Sequence, residues 1–233
     1  MRALAAPLLA LALAGCGAQS AASDEAFGQK VRAYLLEHPE VLEEAINKLQ
    51  QTRTAEAAAG AQKLLASNQK ALIQDARDPV IGAPNAPITV VEFFDYRCGY
   101  CKASAPAVLK IAEENKDVRL VMKEMPILSP ESELAARLAL QAAKAGKYEA
   151  VHLALMAERA LDEASIARIA RAHGLTPPTT TDAAVTSHLR DVQTLAEQLQ
   201  ITGTPAFIVG EQIIAGADMD ALRQAIAAQR KRG

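Results

Sequence analysis

Two of the three cysteines in this 233-residue chain stand together as Cys98-Gly99-Tyr100-Cys101. A C-x-x-C pair serves as a redox couple or as half of a zinc site. A structural zinc ion needs two further ligands, usually closely spaced. The four histidines, His38, His152, His173 and His188, are scattered, and each reads as an ordinary surface or helix residue, so no metal site is expected. The run before the pair, Ile88-Thr89-Val90-Val91-Glu92-Phe93-Phe94, has the β-branched and aromatic character of a buried strand. Strand, short turn and C-x-x-C opening a helix would set Cys98 at the helix N-terminus. Unpaired N–H groups and the helix dipole favour a thiolate there, and Arg97 and Lys102 add positive charge. Cys98 is then the nucleophile, and Cys101, one turn further in, the thiol that closes the disulfide.

Two more features accompany the pair. Glu92 is the one carboxylate in its strand, six residues before Cys98. Buried, it would have a raised pKa and could exchange a proton with Cys101. The alternative is a Glu on an exposed strand face, since charged side chains are rarely buried. Far downstream, Gly203-Thr204-Pro205 precedes the short strand Ala206-Phe207-Ile208-Val209. A proline before a strand is ordinary, and a cis bond there is a minority outcome.

The elements that must position these residues can be read from periodicity. Val118–Met122 forms a second strand, Glu131 to about Ala172 is Ala-rich helix broken near Gly146 and Leu161-Asp162, and Asp182–Leu199 is another helix. Ala206–Val209 and Gln212–Ile214 form a hairpin around Gly210-Glu211, and Asp218–Arg230 closes the chain as a helix. Before the catalytic segment, residues 25–76 read as three helical stretches with narrow apolar stripes, the first ended by His38-Pro39. Asp78-Pro79, Ala83-Pro84 and Ala86-Pro87 mark a boundary, leaving residues 80–230 as the second domain. The stripes are too small for an independent core. They are expected to pair with copies of the chain in a homo-oligomer, a dimer or trimer; the alternative is that they brace their own catalytic domain.

Residues 1–22 read as a secretory signal: Arg2, an apolar run from Ala3 to Ala14, then small residues. The run is too short to span a bilayer. Leu13-Ala14-Gly15-Cys16 resembles the lipobox, in which the cysteine is acylated; ordinary cleavage, for example after Ala22, is the alternative. Residues 18–24 read as a tether. Either outcome leaves Cys98 and Cys101 as one pair in an oxidising compartment, the periplasm or cell envelope. A net charge of −2 gives no basic footprint for nucleic acid.

Taken together, Val91-Glu92-Phe93-Phe94, Cys98-Gly99-Tyr100-Cys101 and Gly203-Thr204-Pro205 resemble the thioredoxin superfamily. Cys101 and Pro205 are 104 positions apart, so a helical insertion at about 131–199 is implied, as in DsbA. Phe94-Asp95-Tyr96, Lys123-Glu124-Met125-Pro126-Ile127-Leu128 and Tyr34-Leu35-Leu36-Glu37-His38-Pro39-Glu40-Val41-Leu42 are similar to motifs of the ScsC-type and related DsbA-family proteins. The resemblance implies an α/β thioredoxin fold with a DsbA-like helical insertion, preceded by an N-terminal α-helical segment. It implies a cis Pro205 facing the disulfide, with the Thr204 backbone and the Gly99-Tyr100 surface meeting an extended substrate peptide. No cofactor is implied. The implied partners are unfolded or misfolded exported proteins and a membrane redox partner that recycles the dithiol. Gly99-Tyr100, where DsbA has a histidine, together with Thr204 is similar to the isomerase DsbC, although the β-rich dimerisation domain of DsbC is missing. Isomerase or reductase activity is therefore expected, with DsbA-like oxidation as the alternative and a non-catalytic holdase or surface antigen as the contrasting class.

Overall fold

The computed structural model describes residues 17–232, with side chains from Asp24 onward. Residues 1–16, which hold most of the expected signal segment and the lipidation candidate Cys16, lie outside the described residues. The structure divides into two compact units, at Ala57/Ala58.

The first unit holds α1 (Gly17–Glu37) and the beginning of α2 (Glu40–Ser67). The expected tether at 18–24 is helical, consistent with its alanines, which lead the helix propensities, and its lack of proline. His38-Pro39 separates the two helices as expected, but no break divides residues 57–67 from the preceding helix. Phe27, Val31, Tyr34, Leu36, Leu42, Ile46 and Leu49 are exposed along α1 and α2.

In the second unit the end of α2 is followed by α3 (Gln69–Ile73), β1 (Val80–Gly82), β2 (Ile88–Phe94), α4 (Gly99–Glu114) and β3 (Val118–Glu124). Four helices follow: α5 (Pro130–Lys144), α6 (Tyr148–Ala157), α7 (Glu163–Ala172) and α8 (Ala183–Gln198). The chain then returns as β4 (Ala206–Val209), β5 (Gln212–Ala215) and α9 (Met219–Arg230). The sheet runs β1-β3-β2-β4-β5. β2 and β3 are parallel and joined through α4, while β4 lies antiparallel to β2 and β5 antiparallel to β4. A β-α-β unit completed by a β-hairpin and helix is the thioredoxin core, with α5–α8 inserted between its halves.

The apolar residues alternate between two faces of the sheet. Val90, Phe94, Leu120, Met122, Phe207 and Val209 pack in one core with residues of α4–α7 and α9. Val91, Phe93, Val121, Ala206 and Ile208 pack in a second core with Leu65 and Leu72 from α2 and α3, and with Val192, Leu195 and Ala196 of α8. Strands buried on both faces read as continuous apolar runs, which is why β2 is conspicuous in the sequence.

This packing moves the expected boundary. Residues 58–73 are not part of a separable 25–76 segment, because Leu65 and Leu72 cover the second face of the sheet. Buried polar groups hold the same region: Lys123 Nζ pairs with the Asp78 carboxylate and donates to the Ala71 carbonyl at 2.6 Å. His188 of α8 lies 3.3 Å from Asp78 through Nε2. That approach is outside hydrogen-bond geometry, so neither His188 ring nitrogen has a partner. β1 is not expected from the sequence. It is three residues long, lies between prolines and pairs with only β3, so it carries too little pattern to read.

Candidate active site

Cys98 is the N-cap of α4, with the extended backbone (φ −70°, ψ 118°) that the position requires. Its Sγ takes the part usually played by a serine or aspartate oxygen, accepting from the Cys101 N–H at 3.4 Å. Asp95 shapes the preceding turn. Its carbonyl accepts from the Cys98 N–H, and its buried carboxylate accepts from the N–H groups of Arg97, Ile127 and Leu128 and from the Ser132 hydroxyl, all within 2.7–3.0 Å. One side chain thus ties the cysteine loop to the loop after β3.

Both cysteines are free thiols. The Cys98 thiol donates to the Thr204 carbonyl at 3.2 Å, and the Thr204-Pro205 bond is cis, as the family resemblance implied. Gly99 and Tyr100 are exposed beside Cys98, Tyr100 by 73%. Cys101 is wholly enclosed in the first core, and burial pushes its thiol up. The expected basic neighbours point their charges elsewhere: Arg97 pairs with Glu131 at 2.8 Å, and Lys102 donates to the Glu158 carbonyl. Favourable interaction with a Cys98 thiolate therefore rests on the helix N-terminus and the Cys101 N–H.

Glu92 is buried, not exposed. By alternation it shares its face of β2 with Ile88, Val90 and Phe94, the face whose core contains Cys98 and Cys101. Oε1 has no hydrogen-bond partner, and burial raises the carboxyl from 4.5 to about 8.

Sequence reasoning missed a second polar group on that face. Glu124, at the end of β3, accepts hydrogen bonds from Tyr96 at 3.0 Å and Tyr148 at 2.9 Å, both to Oε1. The Tyr96 hydroxyl also lies 3.0 Å from His152 Nδ1. His152 lies on a helix, α6, one of the two settings expected, but it is an enclosed member of a polar cluster; its pKa is pushed down to about 4 by burial. His188, also expected to be ordinary, is buried too. The signal for Glu124 was present, a carboxylate ending an apolar strand like the one that singled out Glu92. Tyr148 and His152 also share a helix face at i, i+4. Among the described residues, no three His, Cys, Asp or Glu side chains converge as a metal site requires.

The model of the DSBA-like thioredoxin domain matches residues 89–227, from β2 to α9. The chain belongs to the DSBA-like thioredoxin-domain family. Its family is that of thiol–disulfide oxidoreductases of DsbA and ScsC type. The copper resistance protein ScsC N-terminal domain matches residues 25–56, within the first unit. A linker-deletion mutant of ScsC from Proteus mirabilis is 32% identical, with 96% of this chain and 100% of that one covered and a TM-score of 0.71. A thioredoxin-like oxidoreductase from Silicibacter pomeroyi is 38% identical over 70% of this chain and 98% of its own, with a TM-score of 0.65. A periplasmic thioredoxin-like protein from Salmonella enterica serovar Typhimurium is 34% identical, over 69% and 94% of the two chains, with a TM-score of 0.64. A curated relative, the Na(+)/H(+) antiporter NhaA 3 of Salinispora tropica, is 36% identical over 85 residues. The chain spans only 13% of that protein's length.

Proposed function

We propose that this chain is a periplasmic enzyme that reduces and isomerises disulfides of misfolded exported proteins through Cys98 and Cys101. The observation that carries the reading is the pairing of a nearly buried thiol, capping α4 beside the exposed Gly99 and Tyr100 and bonded to the Thr204 carbonyl, with a wholly enclosed partner thiol one turn below.

The Cys98 thiolate attacks one sulfur of a substrate disulfide. A Cys98–substrate disulfide forms, and the other substrate sulfur leaves as a thiolate. Cys101 then gives its proton to Glu92 and attacks Cys98 Sγ. The Cys98–Cys101 bond forms, the second substrate sulfur departs, and two electrons have passed to the substrate. Isomerisation stops before Cys101 acts, when a different substrate thiol attacks the mixed disulfide. A buried thiol with a raised pKa needs a base, and Glu92 shares its face of the sheet. Thr204 and Pro205, with Gly99 and Tyr100, form the surface offered to an extended substrate strand. A membrane redox partner would restore the dithiol.

Export is supported by the signal-like first 22 residues, and the periplasmic assignment of the Salmonella relative agrees with it. Anchoring through an acylated Cys16 is part of the proposal. So is a homo-oligomer: Val31 and Tyr34, and Leu42, Ile46 and Leu49, are exposed at three- and four-residue spacings, a pattern suited to a helical seam with other copies.

Refolding of scrambled ribonuclease, run beside oxidation of reduced ribonuclease and reduction of insulin, tests the reading. Reactivation of the scrambled enzyme and insulin reduction are expected. Oxidation alone would make the chain a DsbA-like oxidase, and inactivity in all three would leave a holdase.

A further inference from the structure

Glu92 and Glu124 occupy the same face of adjacent parallel strands. Glu92 registers with Met122, and Glu124 with Phe94, so the two carboxyls are diagonal neighbours two positions apart. Strand spacing and residue rise set their backbones about 8 Å apart. Neither has an ion-pair partner among the described residues; the buried cation of the same strand, Lys123, alternates to the opposite face and pairs with Asp78. The titratable groups around them are Cys98 and Cys101 on α4, Asp95 and Tyr96 after β2, and Tyr148 and His152 on α6. None of these supplies a positive charge at neutral pH, since burial keeps His152 neutral.

The hydrogen bonds distinguish the two acids. The Tyr148 hydroxyl donates to Glu124 Oε1. The Tyr96 hydroxyl donates to the same oxygen, which leaves its own oxygen to accept from His152 Nδ1–H. Donors thus converge on Glu124 from two directions, the arrangement an anion needs. Glu92 Oε1 receives none. Two like charges this close in an apolar core do not both persist, and the proton goes to the acid without donors.

We infer that Glu124, held by Tyr96 and Tyr148, is a positioning residue that carries the negative charge of a coupled carboxyl pair and keeps the exchangeable proton on Glu92. This rests on the proposed role of Glu92 as proton acceptor for Cys101. Burial raises both acids; at Glu124 the two hydroxyls oppose that rise while the Asp95 and Glu92 carboxylates add to it, and at Glu92 burial acts with no donor against it. With a fixed anion nearby, Glu92 remains protonated at neutral pH and becomes a base only as the pH climbs.

The test is the pH dependence of mixed-disulfide resolution in the full chain, followed after attack on a small disulfide peptide. The rate of the unaltered protein should rise through a limb set by Glu92. Glu124→Gln keeps an oxygen for both tyrosines and removes the charge. It should move that limb towards acid by about one unit, the scale of two charges about 8 Å apart in a protein interior. Tyr148→Phe, which withdraws one donor and should fold whatever Glu124→Gln does, should move it the same way by less. A merely structural role would slow the reaction without moving the limb. In a Glu92→Gln background neither change should have any effect on the limb. A limb unmoved in both Glu124→Gln and Tyr148→Phe overturns the inference while leaving Glu92 in place; a limb unmoved by Glu92→Gln itself removes the role of Glu92 and the inference with it.

Discussion

At the residue scale the two thiols are unequal because one caps a helix and the other is enclosed by it. Cys98 caps α4 and keeps slight exposure, while Cys101 is wholly enclosed with its thiol raised by burial. Replacing Cys98 by Ser should therefore abolish insulin reduction. Replacing Cys101 by Ser should leave the first attack intact and accumulate Cys98–substrate disulfides, visible on non-reducing gels. Glu92 yields a prediction about stability. Its folded pKa of about 8 stands above its ordinary 4.5, so between these values the folded state holds a proton that the unfolded chain has released. Its contribution is fully present below about 4.5 and is lost as pH rises through about 8, at most on the order of several kcal/mol. Denaturant unfolding should show the native protein losing stability between mildly acid and mildly alkaline pH, with the decline flattened in Glu92→Gln.

At the scale of elements, the short α3 and the end of α2 matter more than their length implies. Leu65 and Leu72 are nearly inaccessible and share a core with Val91, Phe93 and Val121, the residues of β2 and β3 that face away from the active site. β2 is the strand that carries Glu92 and leads to Cys98, so its second face must be covered for the site to keep its shape. Leu72→Ala should cost about 2–5 kcal/mol, the range for a buried leucine truncated to alanine, read as a lowered urea midpoint with an unchanged slope. The cysteine loop should remain assembled in that variant, because Asp95 holds it from the other direction through Ile127, Leu128 and Ser132.

At the scale of the molecule, the catalytic unit begins at Ala58, within α2, and not at the proline-rich stretch after Asp78. Truncation separates the two boundaries. A chain starting at Ala58 retains Leu65 and Leu72 and should be a folded monomer that reduces insulin but has lost isomerase activity. A chain starting after Ala76 lacks both leucines and leaves part of the sheet bare. At roughly 1.5–3 kcal/mol per buried leucine, it forfeits a large share of a typical domain's stability and should unfold or aggregate. Sedimentation and insulin reduction on the two truncated chains, beside the mature chain without lipid, decide both points.

The chemistry that is local in the chain is legible in the amino-acid sequence itself. Cys98, Cys101 and Glu92 fall within ten residues, and the buried strand, tight turn and helix N-terminus that join them are properties of that stretch alone. Helix starts in the insertion and after it are legible as well, because Asp162, Asp182 and Asp218 are N-caps whose side chains announce where α7, α8 and the closing α9 begin. What only the tertiary structure decided is which distant groups share a space. Glu124, Tyr148 and His152 lie on separate elements from the cysteines and gather with Tyr96 because α5–α7 of the insertion fold over the same face as α4. The stripe of Leu65 and Leu72 is visible in the sequence, but an apolar stripe states that it must be covered, not by what. The sheet supplied the answer, since β2 is apolar on both faces and its second face, with Val121 of β3, needed a layer of its own.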